Sequence, residues 1–403
     1  MFANPPPDAV SASSPVGSRS ARCRLRLCVI ATIGKSIQVL YAGRLEHFVA
    51  GGFDVTVVCA SSELDSAIRA RGVRLFAVPF TRAVTPWKDL RALWQLYRFL
   101  RAERFDLVEV ATPKGALLGS IAAKLARSRR VVHILHGLSY QGKRGLLGSV
   151  LRWSTRIPCR LAHVTYSVSA SVRDEALKDD IARPGTVTVL GAGSANGIDL
   201  TRFSPAWRAE GPAVRQRFNI PPDAVVVGFV GRLTRDKGIE ELAEAFRSVA
   251  EKSPSAVLLV VGSYEHRDRP SEGAIDFLSR CPQVRLAGWQ EDVAPFFAAM
   301  DMLVLPTYRE GLPTVLLEAA AMEIPTITTD ATGARNALVP GVTGLQVPMR
   351  DAGSLGTAIA TLIDDAAKRR RMGLAGRTWV MEQFEQRRVW ELYAGAYRAL
   401  AAT

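Results

Sequence analysis

Short apolar runs rich in Val, Ile and Leu recur along the chain, and stretches with helical periodicity separate most of them. In the first half the runs are 24–32 (RLRLCVIAT), 53–60, 73–79, 106–112, 130–137, 163–169 and 186–193. In the second half they are 225–231, 256–262, 283–289, 302–307, 325–330 and 343–348. The runs are continuous rather than alternating, which predicts strands covered on both faces. Between them, stretches such as GIEELAEAFRSVAEK and DLRALWQLYRFLRAE place apolar residues at helical spacing. Regular strand–helix alternation predicts parallel sheets wrapped by helices, an α/β chain. The series pauses at 203–223, where four prolines and polar residues replace it. The pause predicts a first domain over 23–205, a linker over 206–222 and a second domain over 223–385. Residues 1–22, rich in Pro, Ser and Ala and without an apolar signal-peptide core, read as a flexible tail. RTWVMEQFEQRRVWELYAGAYRAL predicts one long amphipathic helix near the end. Its last part, 386–403, is expected to pack back on the first domain. Two doubly wound domains facing each other leave a cleft lined by the carboxyl ends of both sheets.

A chain of 403 residues with 48% hydrophobic content can build two such cores. No apolar run reaches the roughly 18 residues needed to span a bilayer. The five cysteines, Cys23, Cys28, Cys59, Cys159 and Cys281, are scattered without a CxxC pair. That usage fits a reducing cytoplasm and neither a disulfide framework nor a zinc site. Charge changes the picture more. The net charge is +14, and of 52 Lys+Arg and 38 Asp+Glu, 29 and 14 lie at or before Pro205. A one-sided basic field points to an anionic partner, nucleic acid or anionic lipid. No nucleic-acid recognition motif accompanies it, so no nucleic-acid partner is expected. Residues 140–173 carry Lys143, Arg144, Arg152, Arg156, Arg160 and Arg173 and no acid. Leu146, Leu147, Val150, Leu151 and Trp153 interleave with them. A basic amphipathic helix with Trp reads as a membrane-surface element. A core helix with a solvated basic face fits the same pattern equally well.

Three stretches carry candidate chemistry. In LPTYREGLPTVLLEA a strand runs into a helix through Glu310, Gly311, Leu312, Pro313 and Thr314. Pro313 sits near the first turn, where its missing N–H costs nothing. Gly311 lets a backbone come close, and the free N–H groups of the helix start attract an anion. Glu318, inside the helix, can accept bonds from vicinal hydroxyls such as those of a ribose, and Glu310 can do so for a sugar. In VGRLTRDKG a strand ends before Arg232, Lys237 and Gly238, and two cations at that turn can bracket a diphosphate. In HILHG, His136 ends a strand and points to the cleft, while His133 belongs in the sheet. Gly34, after the first strand, could admit a phosphate or sugar. VLGAGSANGID misses the G-x-G-x-x-G spacing by one residue and is rejected as a nicotinamide site. No Asp-x-Asp triplet exists, so a metal-held diphosphate is not indicated.

REGLPTVLLE resembles the E-x7-E motif of the retaining GT-B glycosyltransferases of family 4, and GRLTRDKG resembles that family's diphosphate-binding Arg and Lys. TPKGALLGSIAAKLAR, HILHG and GSANGIDLTRF are similar to its bacterial polysaccharide branch, which adds sugars to polyprenyl-diphosphate acceptors. The likeness covers roughly residues 24–400. It implies a GT-B fold of two Rossmann-like domains. Glu318 would bind ribose, Glu310 the donor sugar, Arg232 and Lys237 the diphosphate, and His136 would approach the sugar and its phosphate. It also implies a UDP-sugar donor of N-acetylhexosamine type, no metal or other cofactor, a lipid-linked glycan acceptor, and a place on the inner face of the cell membrane. A UDP-sugar 2-epimerase of the same fold is the alternative. Two positions depart from the pattern. Ile33-Gly34-Lys35 stands where many relatives carry a Gly pair, and Glu109 stands where a histidine is expected.

Overall fold

The computed structural model describes residues 24–81, 83, 85–265 and 268–403; the 1–22 stretch read as a tail lies outside them. Each of the thirteen apolar runs contributes a strand. The first sheet holds β1 (Leu25–Ile33), β2 (Phe53–Ala60), β3 (Arg74–Ala77), β4 (Leu107–Val110), β5 (Val131–Leu135), β6 (Val164–Ser167) and β7 (Val187–Thr188), in the order 3-2-1-4-5-6-7. The second holds β8 (Val225–Val230), β9 (Ala256–Val261), β10 (Val284–Gly288), β11 (Met302–Leu305), β12 (Thr326–Thr329) and β13 (Gly344–Val347), in the order 10-9-8-11-12-13. Every strand pair is parallel, with β1 beside β2 from Leu25↔Phe53 to Ile30↔Val58 and β8 beside β9 from Val225↔Ala256 to Val230↔Val261. Strands β4, β5, β9, β11 and β12 are buried at every position, which is why their sequences run apolar without alternation. In both sheets the order reverses beside the first strand. A crevice forms there at the carboxyl ends.

Three expectations change. The 186–193 run pairs only over Val187–Thr188. Beyond it Gly191 and Gly193 take φ of 58° and 107°, and the Ser194 N–H donates to the Val168 carbonyl at 2.7 Å, so the chain turns across the end of β6. The 206–222 stretch is folded rather than a bare linker. Pro205–Glu210 is a 3-10 turn and Gly211–Arg217 a helix, both packed on the Ala294–Ala298 helix. Arg215 there pairs with Asp301 at 2.9 Å. The expected single terminal helix is two, Ala366–Phe384 and Gln386–Ala402. Glu385 breaks it with ψ 131°, and its carboxylate caps the N–H groups of Arg387 and Arg388 at 2.9 and 2.8 Å. The break carries the chain back to the first domain, where Val389, Tyr393, Ala394 and Tyr397 join the core beneath β1 and β2.

Candidate active site

The two sheets meet at their carboxyl ends around a cavity of about 260 Å³. His136, Arg232, Lys237, Glu310 and Gly311 all line it, although they come from three different strand ends. Lys237 follows β8 in a 3-10 turn (Arg235–Lys237) that stops at Gly238. Gly238 has φ of 73°, and a Cβ there would lie 1.9 Å from the Pro306 carbonyl oxygen, so the turn can press against the strand end only without a side chain. The Lys237 ammonium donates to the Glu310 carboxylate, and both side chains are mostly buried. Arg232 pairs with Glu265 at 2.8 Å in a more exposed position.

Asp236 and Arg309 also line the cavity, and neither was singled out from sequence. The Asp236 carbonyl accepts from the Tyr308 N–H and the Thr307 hydroxyl, both at 2.9 Å, and its carboxylate accepts from Arg309 at 3.1 Å. The Arg–Lys turn and the Glu310 turn are therefore laced together. Arg309 was visible inside REGLP, as a third cation beside two acids. Burial raises the Asp236 carboxyl, but the Thr234 hydroxyl and the Arg309, Lys237 and Arg232 charges outweigh it and hold the group below its usual range.

From the first domain come Thr112, His133, His136, Ser154 and Thr155. Thr112 has φ of 63°, a conformation that costs a non-glycine residue about 1–3 kcal/mol. Its hydroxyl accepts from the Thr32 N–H at 2.9 Å. The turn aims the start of the Pro113–Leu125 helix at the cavity. His133 lies in β5, as expected, with Nδ1 3.2 Å from the Val110 carbonyl. Burial pushes the pKa of His133 down to about 4 and that of His136 to about 3, with the Arg44 charge and His133 adding to the second shift. Both rings are neutral at pH 7, and the buried Nε2 of His136 has no protein partner.

The Glu310 loop carries more than ligand groups. A Cβ on Gly311 would sit 1.8 Å from the His136 carbonyl oxygen, so Gly311 lets the backbones of the two domains touch. Around that contact the Ser169 hydroxyl donates to the Gly311 carbonyl at 2.7 Å, the Gly333 N–H donates to Ser171 Oγ at 2.7 Å, and Asn336 Oδ1 accepts from the Ser171 N–H at 2.9 Å. Leu312 packs against the cores of both domains. Pro313 caps the Thr314–Ala321 helix, and Thr314 hydrogen-bonds with Glu318. Leu312, Pro313, Thr314 and Glu318 thus stand behind the cavity wall rather than in it. Gly34 does not reach it either. It is buried against Ser62, whose Oγ would be 2.7 Å from an added Cβ, so its smallness serves packing where room for a phosphate or sugar was expected.

Glu318 supplies a pH prediction. Burial pushes its carboxyl up to about 7 from the usual 4.5, against the opposing Arg202 charge and the Thr314 bond. The native state then holds a proton that the unfolded chain releases, and the group's contribution to stability is lost as pH rises through that window. Glu318→Gln cannot ionise. It is expected to be the more stable protein at pH 8 by up to ~3 kcal/mol and nearly equal to wild type at pH 4.5, as measured by urea unfolding at the two pH values.

The basic segment forms the Gly145–Leu161 helix. Leu146, Leu147, Val150 and Trp153 project into solvent, while Ser154 and Thr155 face the cavity. Lys143 and Arg144 are exposed. The expected acid-free face is partly neutralised, however. Arg152 donates to the Asp179 carbonyl, and Arg156 and Arg160 both pair with Asp180. The fold brings in these acids from beyond the segment in which none was found.

A larger hollow of about 1060 Å³ lies elsewhere, lined by Met300, Asp301, Ile324 and Pro325 at the amino ends of β11 and β12. Ligands of doubly wound sheets bind at the opposite ends, where the cations are, so the smaller cavity is the candidate site.

Two doubly wound sheets joined across such a cleft are the GT-B architecture of glycosyltransferases. Residues 44–202 match the model of Glycosyltransferase Family 4, and residues 224–365 match that of Glycosyl transferases group 1. The capsular polysaccharide biosynthesis glycosyltransferase CapM of Staphylococcus aureus is 30% identical over 91% of this chain and 95% of its own length. The UDP-Gal:alpha-D-GlcNAc-diphosphoundecaprenol alpha-1,3-galactosyltransferase of Escherichia coli is 28% identical over 78% of this chain and 81% of its own. Among solved structures, Anabaena HepE in complex with UDP and glucose superposes with a TM-score of 0.75 at 18% identity, covering 93% of this chain and all of HepE. The chain belongs to glycosyltransferase family 4, among the bacterial polysaccharide glycosyltransferases. None of these relatives is an isomerase.

Proposed function

We propose that the protein transfers a sugar, of N-acetylhexosamine type, from a UDP donor to a polyprenyl-diphosphate-linked glycan precursor, with retention of configuration, on the cytoplasmic face of the cell membrane. The observation that carries this reading is the convergence of Arg232, Lys237 and Glu310 on one cleft wall, facing His136 across the domain boundary. The E. coli relative, whose name gives a UDP-sugar donor and a diphosphoundecaprenol acceptor, supports the substrate classes. Among the described residues no helix is long and apolar enough to cross a membrane. An enzyme of this kind would meet a lipid-linked acceptor from the bilayer surface.

A nucleotide sugar must lose a diphosphate, so the site must stabilise charge growing on the leaving group. Fixed cations in a recessed cleft do this without reorganising at the moment of reaction. Lys237 would turn from Glu310 toward the diphosphate, and Arg232 would hold its outer oxygens. Glu310, released from the ammonium, would accept hydroxyl hydrogen bonds from the donor sugar. Glu318 would hold the ribose, behind the cavity wall. His136, neutral down to about pH 3, would orient the sugar rather than take the acceptor's proton. That proton would pass to the departing phosphate as the acceptor oxygen attacks on the same face. The interdomain contacts at Gly311 and Ser171 would keep water from the bond being broken.

The test is a panel of UDP-sugars, with and without a polyprenyl-diphosphate sugar, each in the presence and absence of EDTA. Acceptor-dependent transfer of one sugar, unchanged by EDTA and giving the anomeric configuration of the donor, is the expected result. Transfer that stops with EDTA would remove the metal-free mechanism. An inverted product would remove retention, and epimer formation without acceptor would replace transfer by isomerisation.

A further inference from the structure

The exposed apolar residues of the first domain's helices include a second group besides the one on the Gly145–Leu161 helix. Trp87, Leu90 and Trp94 are 85%, 58% and 55% exposed. They lie three and four residues apart on the Pro86–Glu103 helix and so form one ridge along it. The Pro113–Leu125 helix packs against both of these helices. Successive right-handed crossovers from β3 to β4, β5 and β6 put all three on the same face of the sheet. The middle helix is small and largely buried, with Gly115, Ala116, Gly119 and Ala123 inside. Two apolar ridges, one ending in Trp94 and the other in Trp153, therefore flank a recessed helix on one surface.

The charges around the new ridge are of one sign. Lys88, Arg91 and Arg98 are exposed beside the indoles. The acid of that helix turn, Asp89, points inward to Lys114 at 2.7 Å. The Arg98 guanidinium lies 4.8 Å from the Trp94 ring centre, and Arg156 lies 5.3 Å from that of Trp153. The same pairing of cation and indole thus occurs on both ridges. Trp with Arg or Lys is the composition that settles at a bilayer's headgroup level, the ring among the acyl–headgroup boundary and the cation on phosphate. Exposed aromatic side chains with an unbalanced basic rim fit an anionic lipid surface by charge as well as by polarity.

We propose that the Pro86–Glu103 helix is the second half of a two-ridge docking face for an anionic lipid bilayer. The proposal rests on the reading above that the acceptor is lipid-linked. Thr112 and Pro113, at the start of the middle helix, and Ser154 and Thr155, on the inner side of the other ridge, line the cavity. A bilayer touching both ridges would hold the mouth of the cavity against the headgroups. One ridge alone leaves the molecule free to roll about that helix, whereas two fix its orientation.

The experiment uses the full-length protein and the double variant Trp87→Ser/Trp94→Ser, with Leu146→Ser/Trp153→Ser in parallel. Binding is measured by flotation with vesicles of phosphatidylglycerol and phosphatidylcholine, and of phosphatidylcholine alone. Wild type is expected to prefer the anionic vesicles, and each double variant to lose about tenfold or more in affinity with an unchanged melting temperature. Unchanged vesicle binding by Trp87→Ser/Trp94→Ser would overturn the proposal. A change in its oligomeric state by light scattering, with vesicle affinity intact, would overturn it in favour of a protein partner. The same preparations are assayed with a short-chain, water-soluble diphosphate-linked acceptor, on which the Trp87→Ser/Trp94→Ser enzyme should keep the wild-type kcat. Failure of wild type to transfer any sugar counts against the proposed function, while the vesicle result still decides the docking face.

Discussion

Lys237→Ala is expected to lower kcat by about 10²–10³-fold, the loss typical of removing one preorganised group that stabilises transition-state charge. Two effects add. The leaving diphosphate loses its nearest cation, and the Glu310 carboxylate loses the ammonium that it accepts from. Donor binding then brings a polyanion toward an uncompensated carboxylate in a site where water is scarce. KM for the donor should rise as well, because the Lys237 charge acts on ground state and transition state alike. Lys237→Arg should recover only part of the rate, since a planar guanidinium cannot occupy the position of a compact ammonium. Arg232→Ala should cost less, about tenfold, because Arg232 is half exposed and already shared with Glu265 at 2.8 Å. Steady-state kinetics at saturating acceptor separates these outcomes. A Lys237→Ala enzyme within threefold of wild type would remove the residue from the chemistry.

Much of this site was legible because doubly wound sheets put function at strand ends, and strand ends can be read from sequence. His136 follows β5, Arg232 follows β8 and Glu310 follows β11, and each reading needed only an apolar run and what comes after it. The failures share a different cause, that the partner lies far away in sequence. Gly34 looked available because nothing in ATIGKS hints that Ser62 fills the space beside it. The helix 145–161 looked purely basic because Asp180 arrives from the end of the next helix. The 206–222 stretch looked like a tether because its prolines were weighed and its contact with the Ala294–Ala298 helix could not be. The break at Glu385 was hidden for the same reason. Amphipathic periodicity continues through it while the helix changes the domain it packs on. Local signals thus fixed the elements and their ends, whereas contacts across domains decided which glycines and charges were spent on packing.

Glu109 shows what such a long-range partner is worth. Glu109→Ala is expected to destabilise the protein by ~3–5 kcal/mol, the usual effect of stranding one member of a buried ion pair. Glu109 and Arg44 are 0% and 1% exposed. One oxygen of Glu109 accepts from the Tyr41 hydroxyl at 2.6 Å and from Arg44 at 2.8 Å, and the other accepts from the Tyr397 hydroxyl at 2.7 Å. Alanine would leave a guanidinium and two hydroxyls facing each other without an acceptor. Arg44 would keep only its bond to the Ala195 carbonyl at 2.6 Å. Tyr397 belongs to the Gln386–Ala402 helix, so the same change should loosen the terminal helix from the first domain. Proteolysis near Glu385 is then expected before global unfolding. Glu109→Gln should cost less than Glu109→Ala, because the amide keeps an acceptor for one donor. The double variant Glu109→Ala/Arg44→Met should recover part of the loss, since the apolar chain removes the charge that alanine strands. Urea unfolding of the four proteins gives the coupling directly. A Glu109→Ala protein within 1 kcal/mol of wild type would mean that water reaches Arg44, and the departure from the expected histidine at this position would then need a reason other than a buried clasp for the last helix.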